Sequence, residues 1–398
     1  MKNLKEKLER VKGKDILSVF LFFAAIPQAM YLKRKRKDLW LICEDENEAR
    51  DNGFWLYRYI RQQHPEQDCV YAINKNSVDY QKVKDLGEVI QYGSYRHWVY
   101  YLAASKNISS QKGGKPNPAI CYVLEVSGLL KNKRAFLQHG VIGNDLPWLY
   151  YENTKMSLFV CGAQKEYEYV RDIFGYPEGT VQYLGLARFD GLHDLSVKKN
   201  QILVMPSWRE WIATPTSKSS SLDDMSSFIS TEYFQKWNEF LNSSEIMEIL
   251  EKNNLRMIFY PHRNMQKYLQ YFTSGSQRIL IADWREYDVQ QLLKESAYLI
   301  TDYSSISMDF GYMRKPMLYY QFDEDKFRRG QYGEGYFKYR EIGFGPACTE
   351  LSEVEQILKN AAENNFSQDD VYLKREEVFF PLYDRMNCER NYQAIRKM

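Results

Sequence analysis

The chain lacks the short signatures that mark many nucleotide-binding and hydrolytic enzymes. It has no GxxxxGK[ST] loop, which excludes a P-loop. It has no HExxH or other metal-ligand spacing, and no GxSxG nucleophile elbow. Six cysteines in 398 residues form no CxxC pair and no regular spacing. Neither a zinc site nor a disulfide framework is indicated, and a reducing cytoplasm fits. Charge of one sign is missing too: 54 Lys and Arg against 52 Asp and Glu leave a formal net charge of +2. Nucleic-acid binding driven by bulk charge is thereby excluded. There is no internal repeat. The one long polar stretch, residues 216–227 (TSKSSSLDDMSS), reads as a mobile loop.

A full membrane span is also missing. Residues 16–32 (ILSVFLFFAAIPQAMYL) are mostly apolar, but they fall short of about 20 residues and Pro27 breaks them. A basic run, KRKRK at 33–37, stands where a signal peptide would have its cleavage site. Residues 1–37 therefore read as a peripheral segment on the cytoplasmic face of the cell membrane, its cations meeting anionic lipid. The alternative is a buried first helix of the domain.

What is present is length for two domains and 44% hydrophobic residues to build their cores. Short apolar runs alternate with helical stretches such as 46–63 and 164–174. Seven candidate strands lie at 38–44, 68–73, 88–93, 106–111, 135–140, 158–163 and 181–186. After a polar interruption at 191–200 come five more, at 201–208, 256–262, 278–284, 297–303 and 316–322, with a long helical region at 230–253. The pattern predicts an α/β protein with two doubly wound, Rossmann-like domains, 38–190 and 201–366. The charged, helical tail 367–398 is expected to cross back to the first domain. Open parallel sheets bind ligands beyond the carboxyl ends of their strands, so a cleft facing both sheets is the expected site.

Polar residues cluster at those strand ends. LQHG (137–140) places His139 where a strand stops and Gly140 permits a sharp turn; a histidine there can accept a proton from a hydroxyl. FYPHRNM (259–265) places His262 and Arg263 after a strand, a pair suited to a phosphate. In ITDYSS (300–305), Thr301, Ser304 and Ser305 supply hydroxyls at a helix start that can hold an anion. Asp302 would repel phosphate, and is expected to brace the loop or orient a histidine. Ser207 and Arg209 end the first strand of the second domain, and Arg328 and Arg329 sit in the glycine-rich FDEDKFRRGQYGEGYF (322–337). Singly, each motif is also what an ordinary turn or helix cap looks like. Five of them aimed at one cleft suggest a diphosphate site.

ITDYSSISMDFGYMRKPMLYYQFDEDKF, FYPHRNMQKY, EARDNGFWLYRYI, FLQHGVIGNDLPWLY and FRRGQYGEGYF together resemble the CDP-glycerol glycerophosphotransferase family. These are teichoic acid and capsule enzymes of the GT-B fold, and the resemblance runs in order from about residue 38 to 390. It implies transfer of glycerol phosphate, or a related polyol phosphate, from CDP-glycerol or CDP-ribitol to a hydroxyl of a lipid-linked or polysaccharide acceptor at the membrane surface. His139 and His262 match the two important histidines of that family. Ser304 and Ser305 are expected at the donor's pyrophosphate, with Arg328 a looser match. HGVIGNDLPW departs from the common HGTPLK form, which puts Gly140, Asn144 and Asp145 on the acceptor side and leaves acceptor identity open. No tightly bound cofactor is implied, and divalent-metal dependence stays open. Two other readings remain: a GT-B glycosyltransferase using a nucleotide sugar, and a non-catalytic, membrane-bound nucleotide-binding scaffold.

Overall fold

The computed structural model describes residues 13–212 and 225–398. Two compact units emerge. One comprises the chain up to Val141, Pro147–Asp190 and Asp384–Met398; the other comprises Ile142–Leu146 and Gly191–Tyr383.

The first unit is built on seven strands: β1 (Trp40–Ile42), β2 (Cys69–Ile73), β3 (Val89–Gln91), β4 (Lys106–Ser109), β5 (Lys133–Phe136), β6 (Leu158–Cys161) and β7 (Val181–Tyr183). Every pairing is parallel and the order is β3-β2-β1-β4-β5-β6-β7. Alternate side chains divide between two cores, as the period of a strand requires. Trp40, Ile42, Tyr71 and Ile73 pack on helices Asn52–Gln63 and Asn387–Lys397 through Leu56, Ile60, Tyr392 and Ile395. Leu41, Val70 and Ala72 face the other way, onto Trp98 and Val99 of helix Tyr95–Ala103 and Ala25 and Ala29 of helix Gly13–Lys35. With both faces covered, the strands can be apolar throughout.

The second unit holds β8 (Lys198–Met205), β9 (Arg256–Phe259), β10 (Ile279–Ile281), β11 (Ser296–Thr301), β12 (Met317–Tyr320) and β13 (Ala347–Cys348), all parallel, in the order β10-β9-β8-β11-β12-β13. In both sheets the order reverses once, between β1 and β4 and between β8 and β11. Such reversals open the crevice in which α/β proteins bind ligands.

Four details differ from expectation. Pro27 does not break the first helix; Gly13–Lys35 runs through it, held on one side by packing against Tyr95–Ala103. The helical region 230–253 is two helices, Glu232–Leu241 and Ser244–Lys252, because Ser243 caps the second by accepting the Ile246 N–H at 3.1 Å. The tail does not cross back as one piece from residue 367: residues up to Tyr383 stay with the second unit, and the return begins at Asp384. There the Asp190 carboxylate accepts the N–H groups of Asn387 (2.9 Å) and Cys388 (2.8 Å), anchoring the last helix in the first unit. Finally, most of the 216–227 stretch lies outside the described residues, and its end enters helix Met225–Ile229.

Candidate active site

In the first unit the histidine turn follows β5. Its left-handed residue is Gln138 (φ 60°), so the turn expected at Gly140 is made two residues earlier. A side chain larger than glycine resists this conformation unless its surroundings hold it. Gln138 is buried; its amide donates to the Val160 carbonyl and to Glu166, and its own carbonyl accepts from Asn52 Nδ2 at 2.8 Å. Next to it, the His139 carbonyl accepts from Arg188 Nη1 at 2.9 Å, and the same guanidinium pairs with Asp51 at 2.7 Å. Asn52 Oδ1 in turn accepts the Arg188 N–H. The backbone around His139 is thus clamped from three elements, while the residue itself is exposed.

The crevice between β1 and β4 holds a carboxyl group. Glu44, fully buried, accepts the N–H groups of Arg50, Asp51 and Phe54, taking up the free donors where helix Asn52–Gln63 begins. Burial, then the charge of Asp51, push its pKa up to about 8 against the pull of those backbone donors.

In the second unit the knot sits at the reversal between β8 and β11. Thr301, fully buried, donates to the Met205 carbonyl at 2.7 Å, tying the two strand ends together. Asp302 Oδ1 accepts the N–H groups of Ser207 (2.8 Å) and Tyr303 (2.7 Å). Its Oδ2 lies 2.9 Å from Arg209 Nη1, an ion pair too bent to count as a hydrogen bond. Arg209 grips Asp323 with Nε (2.7 Å) and Nη2 (2.9 Å), donates to Ser207 Oγ at 2.9 Å, and lies 5.1–5.3 Å from the rings of Tyr233, Tyr303 and Phe327. Its exposure is 0%. Burial opposes its charge, but the two carboxylates outweigh that and hold it protonated.

These contacts correct three assignments. Arg209, Thr301 and Ser207 do not line a ligand surface. Their polar groups are spent inside the protein, joining the loops after β8, β11 and β12. Asp302 braces that junction and bonds no histidine among the described residues. What it leaves outward are the serines: Ser304 half-buried, with Oγ 3.4 Å from the Ile306 N–H, and Ser305 exposed. Ser305 sits at the start of helix Ile306–Tyr312 without capping it through its side chain.

His262 follows β9. Its N–H donates to the Pro206 carbonyl (2.9 Å), its Nδ1 accepts the Asn264 N–H (3.2 Å), and its ring stacks near Trp208 (6.1 Å, 26°). A neutral imidazole that accepts at Nδ1 carries its proton on Nε2. His262 is therefore set up as a donor. Arg263, exposed beside it, stacks over Trp284 at 4.5 Å.

Asn144 and Asp145 belong to the second unit. Asn144 accepts from Arg328 Nη1 at 2.6 Å, and the Asp145 N–H reaches the Gly333 carbonyl at 3.2 Å in an antiparallel bridge. A Cβ on Gly335 would lie 2.4 Å from the Gly143 carbonyl oxygen, so glycine alone lets the two segments close. Arg328 is thereby held in place, whereas the exposed Arg329, among the described residues, donates to its own helix at the Asp325 carbonyl.

Two reversed parallel sheets, with polar loops gathered where each reverses, place the chain among α/β proteins built from Rossmann-like units. Within that class it belongs to the CDP-Glycerol:Poly(glycerophosphate) glycerophosphotransferase family, whose model matches residues 169–397. These are enzymes. The chain is 29% identical over 402 residues to the minor teichoic acid biosynthesis protein GgaB of Bacillus subtilis (strain 168), covering 100% of this chain and 44% of that protein. It thus spans less than half the length of that relative. Its fold is similar to a solved structure of the wall teichoic acid polymerase TagF (TM-score 0.67, 16% identity, 97% of this chain and 98% of that one). It is also similar to the UDP-GlcNAc 2-epimerase of Methanocaldococcus jannaschii (TM-score 0.53, 10% identity, 91% and 100%). At these identities the two structures speak for the fold alone.

Proposed function

We propose that the chain transfers glycerol phosphate, or a related polyol phosphate, from a CDP-activated donor to a hydroxyl of a lipid-linked, teichoic or capsular glycan, releasing CMP. The observation that carries this reading is the family match over 169–397, a span that contains His262, Ser304, Ser305 and Arg328. The acceptor oxygen bonds to the β-phosphorus of the donor, the bond from that phosphorus to the bridging oxygen breaks, and CMP leaves with that oxygen. His139 takes the hydroxyl proton. His262, through Nε2–H, and the hydroxyls of Ser304 and Ser305 hold the diphosphate and stabilise charge on the departing CMP. Arg328 adds a guanidinium whose direction Asn144 sets. The test is a donor panel of CDP-glycerol, CDP-ribitol and UDP-sugars with product detection by mass spectrometry. Transfer from a CDP-polyol supports the reading. Transfer from a UDP-sugar alone, or nucleotide binding without product, overturns it.

Replacing His262 by alanine is expected to weaken CDP-glycerol binding roughly 10–100-fold and to lower turnover as well, since one charge-directed hydrogen bond is lost in both ground and transition states. Isothermal titration with the donor separates the two effects. An unchanged Kd would remove His262 from the donor site.

A lipid-linked acceptor calls for an enzyme at the membrane surface, and the first helix supports that reading. No helix among the described residues is long and apolar enough to cross a bilayer. Gly13–Lys35 nonetheless exposes Phe20 (68%) and Phe23 (63%) opposite the face it packs with. Of the basic run, Arg36 is held by Asp68 and Glu88, while Lys33, Arg34, Lys35 and Lys37 are exposed. Four cations at about 1 kcal/mol each, with two phenylalanines inserted, give peripheral attachment to anionic lipid. Phe20→Glu with Phe23→Glu is expected to abolish flotation with phosphatidylglycerol vesicles while leaving the fold intact. Undiminished flotation of the double variant would rule this helix out as the attachment.

A further inference from the structure

The loop after β4, Gln111-Lys112-Gly113-Gly114-Lys115, lies at the reversal of the first sheet and belongs to none of the residues discussed so far. Its conformation is held from every side. Gln111 N–H donates to Ser109 Oγ (3.0 Å), Gln111 Nε2 to Glu48 (3.1 Å), and Tyr92 OH to the Gly113 carbonyl (3.0 Å). Gly114 fits against the carbonyls of Cys43 and Glu44, where a Cβ would come within 2.4 and 2.6 Å. Lys115 turns inward to the buried Glu125, which also takes Arg134 (2.9 Å) and the Tyr101 hydroxyl. Asp45 stands beside Gly113.

Lys112 alone turns outward. Its ammonium donates to the Trp148 carbonyl at 2.7 Å and lies 5.8 Å from the centre of the Tyr122 ring. Trp148 and Tyr122 are 44% and 41% exposed. Among the described residues no carboxylate comes within ion-pairing distance of Lys112, although it is half-buried. Burial first, then the neighbouring Lys115, hold its pKa below the ordinary lysine value against a smaller opposite pull from Glu125, and the charge of an anion docking there would offset them. A rigid loop presenting one cation with no ion-pair partner among the described residues, beside the exposed Tyr122 ring and the main chain of the exposed Trp148, suits a phosphate joined to a sugar or polyol: the ammonium meets the phosphate and an aromatic ring covers a C–H face.

Position gives the site its role. Ser109 at the end of β4 and Leu137 after β5 are joined by a 2.9 Å backbone hydrogen bond. Lys112 is three residues beyond the first, His139 two beyond the second. We infer that Lys112, with Trp148 and Tyr122, forms an acceptor subsite that binds a phosphate of the acceptor next to the hydroxyl served by His139. This rests on the transfer reaction proposed above.

The test uses the full chain, wild type, Lys112→Gln and Lys112→Arg. Binding is measured first, without turnover, to two probes: a synthetic glycerol phosphate oligomer and a short-chain lipid-linked disaccharide diphosphate. The subsite predicts a roughly 10–100-fold loss of affinity in K112Q for whichever probe carries the recognised phosphate, with most of it restored in K112R. The oligomer arm identifies a phosphodiester chain as the source, the lipid arm a diphosphate. In turnover, K112Q is expected to raise the acceptor KM and leave donor KM, and transfer to a phosphate-free glycoside, unchanged. Equal binding of both probes by wild type and K112Q overturns the subsite. So does an equal loss with the phosphate-free acceptor. Failure of the wild type to transfer from any CDP-polyol would instead overturn the reaction, and the binding measurement stands apart from it.

Discussion

Alanine in place of His139 is expected to lower kcat for polyol-phosphate transfer roughly 10²–10⁴-fold, the range by which a positioned base accelerates proton removal. Affinity for CDP-glycerol should stay within about twofold, because the donor-holding groups proposed above lie in the second unit. The variant is a clean one. The His139 side chain is exposed, so no core is opened, and the turn is fixed by other residues: Gln138 by Asn52 and Glu166, the His139 carbonyl by Arg188. Single-turnover mixing with labelled CDP-glycerol reads the chemical step directly. Added imidazole should restore part of the rate in the alanine variant. A rate within tenfold of wild type, or a parallel loss of donor binding, would falsify the assignment. The choice of His139 over His262 as base comes from tautomers. With Nδ1 engaged by the Asn264 N–H, the neutral His262 ring presents a proton at Nε2 and has no lone pair to offer there.

Most strands were legible because a sheet covered on both faces favours apolar runs: all twelve proposed segments overlap a strand, but 106–111 (KNISSQ) is largely polar and 135–140 meets its strand, Lys133–Phe136, only at its first two residues. The thirteenth, Ala347–Cys348, has two residues and leaves no pattern to read. Direction was harder. Ser207, Arg209 and Thr301 stand at strand ends, where polar residues often meet ligands, yet all three point into the protein. Nothing local tells an inward arginine from an outward one; the partner that decides it, Asp323, is 114 residues away. Asn144 is separated from Arg328 by 184 residues, which hid its membership of the second unit. The opposite error fell on Lys112, which sits just past a run read as a strand and carries no histidine or serine beside it. Its distinction is that no carboxylate among the described residues forms an ion pair with it, and only coordinates reveal that. Arg188 was similarly silent, and Asn52, although inside the EARDNGFWLYRYI stretch, carried no role of its own there, since the importance of both lies in what they hold.

Arg209→Met is expected to destabilise the second unit by about 3–5 kcal/mol, since it strands two buried carboxylates, Asp302 and Asp323, without a cation. For a unit of this size that corresponds to roughly 6–20 °C in its unfolding temperature. The loss of charge should dominate over the loss of volume, because methionine fills much of the space among Tyr233, Tyr303 and Phe327. The triple variant Arg209→Met, Asp302→Asn, Asp323→Asn separates the two. Asparagine at 302 can still accept the Ser207 and Tyr303 N–H groups through Oδ1, and no buried charge is left. Its stability should therefore exceed that of Arg209→Met alone, a non-additivity that a simple cavity cannot produce. Calorimetry resolves the second unit's transition in each variant. If the triple variant were less stable than the single one, the carboxylates would not be what makes Arg209 indispensable. Because Asp302 holds the Ser207 and Tyr303 backbone directly before Ser304, the single variant should also weaken CDP-glycerol binding at temperatures well below unfolding, whereas the triple variant should bind it more tightly than the single one.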